Sequence, residues 1–162
     1  MKRIFSVFLS LALAVSLFPA ALAEESAGMD RGALAQRLAE LCGYADELEG
    51  YAAQPSAFSD VEEEDECRAA VNLLRDKGLM QGDGSGAFRP SIPATRADAV
   101  TVLLRWAGLT EAQIGAYGSY DSACLMASLG LSGDLAGRIK DEGELTDLYE
   151  AVKPLYDALH AE

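Results

Sequence analysis

The chain has 162 residues, with 26 Asp and Glu against 13 Lys and Arg and a formal net charge of −13. That length suits one domain, and the acidic balance excludes a nucleic-acid binder, which needs a basic footprint. Three cysteines without a C-x-x-C pair, and one histidine next to the C-terminus, exclude the usual zinc arrangements. The expected cofactor and metal content is none.

Residues 1–23 read as a signal peptide. Lys2 and Arg3 form the positive start, Ile4 to Phe18 the apolar core, and Ala21-Leu22-Ala23 a small-x-small cleavage site. The apolar core is short for a bilayer span, so no stable membrane span is expected in the mature form. Residues 24–28 then make a flexible mature N-terminus.

The first helix is expected over 29–43, carrying Leu34, Leu38 and Leu41 and ending at Gly43. Residues 44–60 read as a connection. Asp60 is placed as the N-cap of a helix over 62–77, with the acidic run 62–66 on its first turn, where the helix dipole favours anions. Ala70, Val71, Leu74 and Leu79 recur at helical spacing, and Gly78 after Lys77 suits a left-handed C-cap. Gly82, Asp83, Gly84, Ser85 and Gly86 supply turns, and Phe88 is expected to anchor that loop to the core. The stretch from Asp83 lacks the chelating side chains of a calcium loop, since Ala87 and Ala94 fall at ligand positions. Pro90 and Pro93 forbid helix before Thr95.

Thr95 and Asp98 form a T-x-x-D start close to a capping box, opening a helix over 95–107 with Val100, Leu103 and Leu104 inward and Gly108 as the stop. Residues 108–118 read as a connection. Helices are expected over 119–130 and 144–159, the last carrying Leu145, Leu148, Val152, Leu155 and Leu159. A common core of Leu38, Leu103, Leu104, Val152 and Leu155 is expected from the shared register. The fold class is all-α.

The order F-S-D-V, acidic run, K-G-L-M-Q-G, G-A-F-R-P and A-T-R-A-D, over about 58–108, resembles one repeat of the S-layer homology (SLH) family. Aligning Asp30-Arg31-Gly32-Ala33-Leu34 with Thr95-Arg96-Ala97-Asp98-Ala99 gives a partial repeat over 29–43. Leu125 to Leu131 repeat the register of Leu73 to Leu79, giving a degenerate repeat over 119–159. The resemblance implies an SLH-like domain over 29–162, a pseudo-threefold assembly with three central helices (29–43, 95–107, 144–159) and two outer helices (62–77, 119–130). It implies an exported bacterial cell-surface protein, secreted to the wall, that binds secondary cell-wall polysaccharide non-covalently and is not an enzyme. The polysaccharide would be acidic, as the often pyruvylated ligands of the family are.

By motif position Arg96 would be the main anion contact and Arg31 a second one, with Thr95, Asp98 and Trp106 as further ligand-binding candidates. A guanidinium fork suits a carboxylate, and a helix N-terminus beside it adds free N–H groups. The residues themselves leave a structural salt bridge open for both arginines, capping for Thr95 and Asp98, and a core role for Trp106. Glu66 stands where the family often has Trp, and Leu145 where the third unit would have Arg. These departures support an alternative: a degenerate SLH scaffold that binds a protein partner at the cell surface. No nucleophile–histidine pair, G-x-S-x-G or phosphate loop is present.

Overall fold

The computed structural model describes residues 28–116 and 135–161. Among these the fold is all-α: α1 (Arg31–Leu41), α2 (Leu48–Ala52), α3 (Arg68–Asp76), α4 (Arg96–Trp106), α5 (Glu111–Ala116) and α6 (Glu142–His160), with a 3₁₀ turn at Ala45–Glu47. The helix expected over 119–130 and the signal peptide over 1–23 lie outside the described residues. The stretches read as connections hold the short helices α2 and α5, which are too brief for apolar periodicity to reveal.

Capping explains where the long helices begin. Asp30 accepts from Ala33 N at 2.7 Å to start α1. Thr95 and Asp98 form a full capping box on α4, Thr95 N donating to Asp98 Oδ2 at 2.9 Å and Asp98 N to Thr95 Oγ1 at 3.1 Å. Asp141 caps α6 by accepting from Glu144 N at 2.9 Å. Gly78 and Gly108 sit at φ 71° and 96°, the left-handed conformation that ends α3 and α4 at little cost for glycine.

Two expectations are corrected here. Asp60 does not cap a helix: its two carboxylate oxygens accept from Phe88 N and Arg89 N, each at 2.7 Å. The acidic run 62–66 precedes α3 instead of forming its first turn, because Asp65 turns back to accept from Glu62 N at 2.8 Å and the helix opens only at Arg68. The register of the last unit also moves. With the cap at Asp141, Glu142 takes the position that Arg31 and Arg96 hold on α1 and α4, while Leu145 matches Leu34 and Ala99 and is fully buried.

α6 packs on both α1 and α4, and α3 lies between α1 and α2. Leu38, Leu103, Leu104 and Val152 are buried in one core, with Leu155 partly buried against it. Just before the three caps, a closed ring of backbone hydrogen bonds joins the segments that lead into α1, α4 and α6. Ala94 N donates to Met29 O at 2.9 Å, Ile139 N to Ala94 O at 3.0 Å, and Met29 N to Ile139 O at 2.9 Å. Isolated antiparallel bridges, Asp30 with Pro93 and Thr95 with Arg138, flank the ring. Asn72, a buried polar side chain of α3, fastens the preceding loop by donating to Pro55 O and accepting from Ala57 N.

Candidate functional site

A groove of about 450 Å³ opens between the start of α1, the loop 80–92 and one face of α4. Its floor is built by sequence-local rules. Gly82 permits the chain to turn beneath Phe58, since a Cβ there would lie 2.5 Å from Ala87 O and 2.6 Å from the Phe58 ring. Phe88, almost fully buried, packs against Phe58 with ring centroids 5.4 Å apart. Asp60 clamps the two amides at 88 and 89 from below. Burial raises its pKa, but the Phe88 and Arg89 N–H donors outweigh this and hold it below the usual carboxylate value.

Arg31, Arg89 and Arg105 line this groove together with Asp83 and Asp98. Three guanidiniums and two carboxylates line it in a strongly acidic chain, and each guanidinium has a carboxylate partner within the fold: Arg31 with Asp98, Arg89 with Asp83 and Arg105 with Glu111. Arg31 is committed on every side. NH1 pairs with Asp98 Oδ1 at 2.7 Å, Nε donates to Phe88 O and NH2 to Gln81 O, both at 3.2 Å, and the guanidinium lies 4.9 Å from the Phe88 ring centroid. Arg105 donates to Leu79 O at 3.0 Å and forks onto both oxygens of Glu111.

Arg96 faces the next junction. Its Nε donates to Glu144 Oε1 at 2.6 Å, and NH2 contacts the same oxygen. Glu144 also accepts from Lys140 N at 2.8 Å. Burial raises the Glu144 pKa; the Lys140 N–H and the Arg96 guanidinium overcome this and lower it. Arg31 and Arg96 thus do the same thing: each, at the first position of its helix, pairs with the third residue of the helix in the following unit. At the third junction this pattern inverts. Glu142 occupies the first position, Ala33 the third, and Glu142 lies 3.7 Å from Arg37 Nε.

Arg31 and Asp98 therefore share one groove, and Thr95 and Asp98 are joined in the capping box of α4, while Arg96 belongs to the neighbouring junction. Trp106 is buried at the far end of α4, stacked on Tyr156 at 4.0 Å and close to Tyr149. It does not line the groove. Sequence reading passed over Arg89. Its signal was available in G-A-F-R-P, where the arginine follows a residue anchored in the core. A second hollow of about 360 Å³, lined by Asp30, Asp60, Glu62, Asp65 and Glu66, is acidic. Among the described residues no cluster suits a metal ion, and no helix is long and apolar enough to cross a membrane. Cys42 and Cys67 are free and buried; burial pushes the Cys42 thiol up to about 12, away from thiolate chemistry.

Acid should loosen the groove loop and the α4–α6 junction. Asp60, Asp83 and Glu144 all titrate below their ordinary values when folded, Asp83 at about 2 because the Ser85 hydroxyl and amide donate to it. A depressed folded pKa stabilises the fold above the unfolded value, near 4, and that contribution is lost as pH falls through the folded value. Urea midpoints measured from pH 6 to pH 2 should hold steady down to about pH 4.5 and then decline. A midpoint that rises on acidification would contradict these assignments.

The family model of the S-layer homology domain matches residues 57–100, which comprise the loop, α3, the groove floor and the start of α4 with Arg96 and Asp98. No curated protein and no solved structure matches the chain. The matched segment is similar to modules of cell-surface proteins that anchor to the cell wall and are not catalytic.

Proposed function

We propose that this chain is an exported cell-surface module that holds an acidic secondary cell-wall polysaccharide non-covalently, with no catalytic step. Residues 1–23 direct export, and 29–162 form one SLH-like domain. The observation that carries this reading is the arginine-lined groove built by the family-matched loop, in a chain whose net charge is −13. The ring through Met29, Ala94 and Ile139 supports a pseudo-threefold arrangement of α1, α4 and α6 as its central helices. Grooves at the junctions of such a ring would take carboxylate-bearing sugars, with Arg96 and Arg31 beside helix N-termini.

A second reading has its own support. Arg31 and Arg96 are each already paired with a carboxylate of the fold, as in a scaffold whose surface recognises a protein partner. Pull-down of the processed chain on cell-wall sacculi, with and without their secondary polysaccharide, separates the two. Binding should vanish when the polysaccharide is stripped. Arg96→Ala should weaken it about 10- to 150-fold, the loss of one charge-assisted pair, while leaving the helical circular dichroism nearly intact. Binding indifferent to the polysaccharide, or to Arg96→Ala and Arg31→Ala together in a folded chain, would favour the protein-partner reading.

A further inference from the structure

Arg89 is the one non-glycine residue in the left-handed region among the described residues, at φ 61°. An L-residue with a Cβ adopts that conformation only when its surroundings impose it, and such residues gather where a side chain must be aimed. Here the surroundings are explicit. Asp60 holds the amides of Phe88 and Arg89, and the ring of Pro90 stiffens the backbone on the other side of Arg89. The result points the Arg89 guanidinium into the mouth of the groove that Arg31 and Arg105 also line.

The three arginines differ in what they have left to offer. The side chains of Arg31 and Arg105 are 14% and 17% exposed, and all three nitrogens of each guanidinium already donate within the fold. Arg89 is 59% exposed, and its guanidinium pairs with one carboxylate, Asp83 Oδ2, at 2.7 Å. Asp83 itself is held in place by Ser85, whose amide and hydroxyl donate to Oδ1 at 2.8 Å and 2.5 Å. It therefore remains where it is when Arg89 turns away.

We propose that Arg89 is the specificity-determining cation of this groove, exchanging its pair with Asp83 for a carboxylate of the bound wall glycan. The assignment rests on the polysaccharide-binding reading above and adds to it which residue reads the acid. Asp83 occupies the place the ligand's carboxylate takes, so it is an internal competitor and sets a threshold that neutral sugars do not cross. Arg31 and Arg105 then act as the fixed walls against which Arg89 closes.

Arg89→Gly makes the test independent of folding, because glycine accepts φ 61° more readily than arginine. Its Tm should equal or exceed that of the parent, while its affinity for polysaccharide-bearing sacculi falls about five- to tenfold. Asp83→Asn keeps an acceptor for Ser85 but weakens the competition, so its affinity should rise. On sacculi whose carboxyl groups have been reduced to alcohols, parent and Arg89→Gly should bind equally weakly. An Arg89→Gly chain that binds native sacculi as the parent does, or that loses affinity by the same factor on reduced sacculi, overturns the assignment alone. A fall in both Tm and affinity for Asp83→Asn would reduce the pair to a loop fastening and likewise overturn it. A parent chain that binds no sacculi at all removes the polysaccharide reading and this assignment with it.

Discussion

Phe88→Ala should lower stability by about 3–5 kcal/mol, the range for deleting a large aromatic from a packed interior. The side chain is 1% exposed and meets separate elements of the structure. It packs on Phe58 from the preceding loop, supports the Arg31 guanidinium 4.9 Å from its ring, and carries on its own backbone an N–H bound to Asp60 and a carbonyl that accepts from Arg31 Nε. Removing the ring leaves a void under the groove and takes away the platform on which Arg31 rests. Phe88→Leu, which refills much of the volume, should cost far less, under about 2 kcal/mol. Chemical denaturation of the three chains decides the point. Equal losses for Ala and Leu would mean that the ring's contact with Arg31, and not its volume, dominates.

The second large effect belongs to Arg31. Arg31→Ala should cost about 2–4 kcal/mol, below the full penalty for splitting a buried pair because both partners keep some contact with water. Three acceptors lose their donor at once: Asp98 Oδ1, Phe88 O and Gln81 O. Arg31→Lys should recover only part of the loss, since one ammonium cannot reach three acceptors set around a planar fork. A double-mutant cycle with Asp98→Ala, read by urea unfolding, should give a coupling of about 1–3 kcal/mol; zero coupling would make the ion pair incidental.

Much of this fold is legible in the sequence, and what is legible is local. Thr95 with Asp98, Gly78 and Gly108 act within a turn of their own position, so spacing alone identifies them. Phe88 is readable as an anchor because an isolated aromatic among glycines has few other uses. Asp60 misleads for the complementary reason. A short carboxylate before a helical pattern is a good cap, but its actual partners are 28 and 29 residues away. The arginine pairs span 67 and 48 residues and leave no local trace. In the last unit, Glu144 to Asp147 imitates the start of a helix well enough to hide the true cap three residues earlier, at Asp141. Arg89 stands beside a readable anchor in G-A-F-R-P, but its left-handed backbone angle and its exposed pair with Asp83 are not displayed by a sequence.

The three-bond ring at Met29, Ala94 and Ile139 has a consequence for how the chain folds. In linear repeat arrays each unit touches only its neighbours, so the end units can fray or be removed while the remainder stays folded. A closed ring has no end unit. Its last bond, from Met29 N to Ile139 O, joins the segment before the first described helix to the segment before the last one across 110 positions of sequence. No segment can form it until both flanks of the chain have been made, and opening any one link leaves the other two without a closed frame. The entropy of closing so long a loop falls on a single late event, so the units should gain their stability together and lose it together.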